Sequence, residues 1–179
     1  MTRMENEYAK ALFSLAQDEG LSERILGELG VVEKTLDEEP GLTRILAAPN
    51  LPKEERCAIL DKCYGEGKTH PYVINFMKLM TEKGYARHIA ACCKAYRDLH
   101  NEANGILEVR AVTAVSLTGE QAERLRSKLE KMTGKRVQLT NRVDEGVLGG
   151  VRLDYDGKRV DDTVRHRLDA VRTLLTSGV

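Results

Sequence analysis

The chain has 179 residues, 41% of them hydrophobic and 31% charged, with no Trp and 28 acidic residues balanced by 28 basic ones. That length accommodates one large domain or two small ones with aliphatic cores, and the neutral balance argues against a polyanion or an acidic membrane surface as the main partner. Residues 1–104 carry 14 basic and 17 acidic side chains and residues 105–179 carry 14 and 11, which makes the C-terminal part the mildly cationic end.

The N-terminal residues Met1-Thr2-Arg3-Met4-Glu5-Asn6-Glu7 contain no apolar h-region, and no run of about 18 uninterrupted apolar residues occurs, so neither secretion nor membrane spanning is expected and the protein reads as cytosolic. In the first helix Tyr8, Ala11, Leu12, Leu15 and Ala16 fall at i, i+3, i+4, i+7 and i+8, and Gly20 ends it. Ser22 is the expected cap of a second helix with Ile25, Leu29, Val32 and Leu36 inward, closed by Pro40-Gly41. A short helix over residues 42–48 follows, then a fourth opened by Pro52 and reaching Tyr64. Pro71 opens a fifth, with the stripe Val73, Phe76, Met77 and Met80, Leu79 beside it, and an end at Gly84. A sixth runs over residues 86–103 on Ile89, Cys92, Cys93, Tyr96 and Leu99. Short links between amphipathic helices predict an antiparallel six-helix bundle. Cys57, Cys63, Cys92 and Cys93 sit inside these patterns and read as small buried hydrophobes, not as a disulfide framework.

After Asn104-Gly105 the period changes from 3.6 to 2. Leu107, Val109, Ala111, Thr113 and Val115 alternate with Glu108 and Arg110, as in a strand with one buried face, and this switch predicts a domain boundary near residue 104. Thr118 and Gln121 form a capping box for a helix with Ala122, Leu125, Leu129 and Met132 inward, ended by Gly134. A strand over 135–143 and another over 148–155 follow. Asp156-Gly157 turns the second back through Lys158-Arg159-Val160, and Asp161 or Asp162 caps a last helix bearing Val164, Leu168, Val171, Leu174 and Leu175. The fold class expected is α plus α/β: an N-terminal six-helix bundle, residues 1–104, followed by a small C-terminal β-α-β-β-α domain, residues 105–179.

No constellation of residues supports catalysis. Gly65-Glu66-Gly67-Lys68-Thr69 ends like a phosphate-binding loop, but the position of the motif's first glycine is Lys62 and a helix, not a buried strand, precedes it. Gly146, Gly149 and Gly150 lack dinucleotide-site spacing and lead into a strand, where absent Cβ atoms admit a close neighbour. The cysteines have no Cys-x-x-Cys spacing and the four histidines are scattered, so neither a metal nor a cofactor is expected. Arg165, Arg167 and Arg172 on the last helix are phosphate-tracking candidates, and the alternative reading is a small RNA-binding protein with a helical extension. Asp161, Asp162 and Asp169 lie among those arginines and no pair of strand aromatics is present for base stacking, so no nucleic-acid partner is expected. The fifth helix, by contrast, has apolar groups at 73, 74, 76, 77, 79 and 80, wider than one buried face requires. With the first helix it offers surplus apolar surface suited to a groove for a partner helix.

Tyr8-Ala9-Lys10-Ala11-Leu12-Phe13, Phe76-Met77-Lys78-Leu79-Met80 with Lys83-Gly84, and Gly149-Gly150-Val151 followed by Val160-Asp161 and Val164-Arg165-x-Arg167-Leu168 resemble the delta subunit of bacterial F-type ATP synthase, the family of the mitochondrial oligomycin-sensitivity-conferring protein, over nearly the whole chain. Two departures stand out: Asp161-Asp162-Thr163 where the family commonly has Asp-Gly-Ser, and Glu5-Asn6-Glu7 where it has Arg-Pro. The resemblance implies a non-catalytic stator on the cytoplasmic face of the cell membrane, touching the membrane only through its complex. It implies that N-terminal helices of alpha subunits bind the helical domain, at Tyr8, Ala11, Leu12, Leu15, Phe76, Leu79 and Met80. It also implies that the b subunits of the peripheral stalk meet the C-terminal domain, at Gly149, Gly150, Arg165, Arg167 and Leu168.

Overall fold

The computed structural model describes residues 3–65, 67–147, 149–155 and 157–161. The chain divides into two compact units, Met1–His100 and Asn101–Val179. Together they are a mixed fold of helices and one four-stranded sheet.

The first unit is helical: α1 (Arg3–Asp18), α2 (Ser22–Glu38), α3 (Pro40–Leu46), α4 (Lys53–Tyr64), α5 (Pro71–Glu82), a 3-10 turn (Ala86–His88) and α6 (Ile89–Ala103), whose last residues pass into the second unit. Helices this short are marginal alone, and burial of their apolar stripes into one shared core holds them. Ile25, Leu29, Val32 and Leu36 of α2, Val73, Phe76, Met77 and Met80 of α5, and Ile89, Cys92, Cys93 and Tyr96 of α6 are all buried, as their spacing predicts. On α1 the buried stripe is Ala9, Leu12 and Ala16, not the Tyr8-Ala11-Leu15 row next to it. Two adjacent rows on one helix are both apolar, and the packing partners select between them.

Three local expectations are corrected. The cap of α2 is Leu21 without a side-chain hydrogen bond, and Ser22 is already helical. Pro40 does not close α2; it occupies the first turn of α3, where a proline's missing N–H costs nothing. Of the four cysteines, Cys92 and Cys93 are buried, whereas Cys57 is half-buried and Cys63 exposed. Polar ties join the helices. Buried Arg56 of α4 donates from Nη1 to the Leu46 carbonyl at 2.9 Å, setting a cation at the C-terminus of α3. Lys78 of α5 pairs with Asp61 of α4 at 2.7 Å, and Arg97 of α6 pairs with Glu33 of α2. The His70 side chain caps α5 by accepting from the Tyr72 N–H, while the His70 N–H donates to Glu28 of α2 at 2.6 Å.

Burial pushes the Cys92 thiol up to about 11, the Cys93 thiol to about 12 and the Tyr96 hydroxyl to about 12, the thiols helped by Glu5 and Glu33 respectively. These groups are neutral at pH 7 in both folded and unfolded chains. Because their folded values lie above the unfolded ones, stability is whole below about pH 8 and falls as pH climbs from about 9 towards 12. Urea midpoints measured across that range are expected to decline, and less steeply in Cys93→Ala. Native alkylation should modify Cys63 first and leave Cys92 and Cys93 untouched until urea is added; equal labelling of all four thiols would contradict the packing of α6.

The second unit is built on a sheet in the order β2-β1-β3-β4, with β1 (Ile106–Thr113), β2 (Arg136–Val143), β3 (Val151–Tyr155) and β4 (Lys158–Asp161). β1 and β2 are parallel, which requires a crossover, and α7 (Gly119–Thr133) supplies it. Thr118 and Gln121 make both hydrogen bonds of the expected capping box, and Gly134 ends α7 at φ 68°. Leu129 of α7 packs with Leu107, Val109 and Val137, and Leu125 joins them. Met132, expected inward, is 73% exposed, and Val115, expected in the first strand, lies beyond it and is 75% exposed. The Asn141 side chain on β2 ties β1 to the loop before α7: its amide nitrogen donates to the Ala111 carbonyl and Thr113 Oγ1, and its oxygen accepts from the Leu117 N–H. β3 runs antiparallel to β1 and begins at Val151 after a 3-10 turn (Glu145–Val147), later than the expected start at 148. It pairs with β4 through Tyr155 and Lys158, with Gly157 at φ 70° in the expected hairpin turn. The last helix expected from the sequence lies outside the described residues.

Candidate protein-docking face

α1 and α5 are joined at both ends by side chains. Just past α1, Glu19 accepts a 2.6 Å hydrogen bond from the Tyr72 hydroxyl in the first turn of α5, which raises that hydroxyl above the ordinary phenol range. Towards the start of α1, the ring of Tyr8 lies 6.3 Å from that of Tyr85, which follows Gly84 at the end of α5. The start of one helix thus meets the end of the other, and the pair runs antiparallel.

Along the stretch between these ties a row of apolar residues faces outward, with exposed Ser14 and Asn75 interleaved among them. Tyr8 is half-buried, Ala11 exposed, Leu15 42% exposed, Leu79 40% and Tyr85 37%. Leu12, Phe76 and Met80, expected from the sequence to share in partner contact, are sealed into the core instead, Met80 completely. Their burial follows from the choice of stripe: with Ala9, Leu12 and Ala16 facing inward, the adjacent row is left outside. That row extends to Met4, which stands one turn before Tyr8 and packs against the core. Met4 and Tyr85 are absent from the sequence-based candidates. Continuing the i, i+4 row one turn backwards finds Met4, whereas Tyr85 sits in a helix-ending turn where no periodicity operates.

The face contains no nucleophile–base pair, and its chemistry is that of an apolar strip with aromatic ends, suited to receiving the apolar side of another helix. Two open surface depressions elsewhere have charged linings. One, of about 370 Å³, is bordered by Glu123, Arg124, Ser127, Lys128 and Lys131; the other, of about 330 Å³, by Lys53, Glu54, Cys57, Lys78 and Glu82. Among the described residues no group of three or more metal-binding side chains converges, and no helix is long and apolar enough to cross a membrane.

In the second unit Gly149 and Gly150 take φ of 154° and 83° at the entry to β3, conformations that favour glycine and keep that entry free of side chains. Arg165, Arg167 and Leu168, and the Asp162-Thr163 departure, lie outside the described residues.

A family model described as ATP synthase delta (OSCP) subunit matches residues 4–175. The chain is similar to ATP synthase subunit delta of Desulfovibrio desulfuricans, 33% identical over 99% of this chain and 98% of that one. It is also similar to the subunit of the same name from Symbiobacterium thermophilum, 32% identical over 96% and 91%. A chain in the cryo-EM structure of the Toxoplasma gondii mitochondrial ATP synthase hexamer shares the fold, with a TM-score of 0.77 at 18% identity, covering 99% of this chain and 100% of that one. The chain therefore belongs to the ATP synthase delta (OSCP) subunit family, the non-catalytic subunits of the enzyme's peripheral stalk.

Proposed function

We propose that the protein holds the catalytic head of a proton-translocating F-type ATP synthase to the peripheral stalk, so that the head does not turn with the rotor. Residues 1–104, as a six-helix bundle, dock on the head, and residues 105–179, as a β-α-β-β-α domain, grip the b subunits. The occupant of the α1/α5 face is the amphipathic N-terminal helix of an alpha subunit. It lies over Tyr8, Ala11, Leu15 and Leu79, with Leu12, Phe76 and Met80 supporting these from beneath. The observation that carries this reading is the strip of exposed apolar residues on two helices tied at both ends.

The physical task fits such a molecule. A stator resists torque through contacts on both sides of a tether and needs no reactive side chain. A few buried apolar anchors with complementary charge are enough for nanomolar affinity, about −12 kcal/mol. On the stalk side, Gly149 and Gly150 let a b-subunit helix approach the β3 entry closely, and Arg165, Arg167 and Leu168 complete the contact. The protein sits on the cytoplasmic face of the cell membrane as a peripheral member of the complex. Affinity purification of the tagged chain from native membranes is expected to recover alpha and b subunits together; recovery of neither overturns the proposal.

A further inference from the structure

Glu5 breaks the usual pattern of a helix that feeds an apolar core. It stands on the inward stripe of α1, one turn before Ala9, and is buried. A carboxylate taken out of water needs a partner, and His88 provides one, with Nδ1 2.8 Å from Glu5 Oε1. The two atoms lie at hydrogen-bonding distance, so the ring's orientation is tied to a group in the core. That ring meets Tyr85 edge-on, with centroids 6.3 Å apart at 80°, and Tyr85 in turn meets Tyr8. A continuous series of side chains, Glu5 to His88 to Tyr85 to Tyr8, therefore runs from the core of the first unit to one end of its exposed apolar face.

We propose that His88 is a positioning residue for partner docking: anchored by Glu5, it holds Tyr85 against Tyr8 as an aromatic wall that fixes where one end of the incoming helix stops. The inference rests on the α1/α5 docking reading and names the device that sets the docked helix's position along the face. Aromatic rings at these separations favour tilted and edge-on geometries, so a ring fixed by a buried carboxylate passes its orientation to the next.

The test uses the full chain and a fluorescent peptide corresponding to the alpha-subunit N-terminal helix, with affinities read by anisotropy and folding by thermal melts. His88→Ala is expected to weaken binding about tenfold, the scale of one well-placed aromatic contact. His88→Asn, whose amide can donate to Glu5 from nearly the same place, restores most of that loss. Tyr85→Ala matches His88→Ala, and the double variant is no weaker than Tyr85→Ala, because His88 acts through Tyr85. Should His88→Ala unfold, the Asn and Tyr85 variants still decide the matter. Wild-type affinity in folded His88→Ala or in Tyr85→Ala, or additive losses in the double variant, overturns the proposal while leaving the docking face standing. Failure of the wild-type chain to bind the peptide removes the docking reading and this inference together.

Discussion

Replacing Ala11 and Leu79 together with aspartate is expected to lower the affinity for the alpha-subunit peptide by about a hundredfold or more while the helical signal stays unchanged. Both residues are exposed in the free chain, Leu79 at 40%, so two carboxylates placed there remain solvated and disturb little of the fold. The loss of helix propensity is at most about 0.7 kcal/mol at each exposed position. When an apolar helix covers the same positions, each carboxylate is stripped of water without a partner, and the cost falls entirely on the complex. Calorimetric titration separates the two states directly. Equal affinity in the double variant and the wild type would remove the helix from this face, and a loss of cooperative melting would show that the two positions are structural after all.

Met80→Ala should behave in the opposite way. Met80 has no exposed surface and belongs to the same buried cluster as Val73, Met77 and Ile89, so truncation leaves a cavity in a close-packed interior. Core truncations of this kind cost about 2–5 kcal/mol. Against a total of about 5–15 kcal/mol for a typical domain, that is a severe loss, visible as a large fall in the urea midpoint. Leu79→Ala, one residue earlier on the same helix, is expected to cost less than about 1 kcal/mol in stability while weakening peptide binding. The adjacent pair thus separates folding from docking. If the two alanine variants melt together, the division of α5 into a buried stripe and an exposed one is wrong.

Much of this architecture was legible in advance because local rules act on neighbouring residues. Apolar residues at helical spacing placed α2, α5 and α6, glycine at positive φ ended α7, and Thr118 with Gln121 marked its start down to individual hydrogen bonds. The Asp156-Gly157 turn announced the β3–β4 hairpin in the same way. Failures came where two local readings were equally good. Pro40 suits the end of one helix or the opening of the next, and Ser22 can cap a helix or enter it.

The candidate face shows the same limit more sharply. The spacing of apolar residues along the chain indicated more apolar surface on α1 and α5 than a single buried stripe consumes, and the family resemblance implied partner contact on those helices. It could not establish which row turns inward, because Tyr8-Ala11-Leu15 and Ala9-Leu12-Ala16 are neighbouring rows of comparable apolarity. Packing of the other helices resolved that, sealing Leu12, Phe76 and Met80 inside and leaving Ala11, Leu15 and Leu79 out. The meeting of Glu5 with His88, 83 positions apart, likewise belongs to the folded state, since no periodic signal couples residues at that separation. Spacing rules report what one helix can bury, and only its neighbours settle what it does bury.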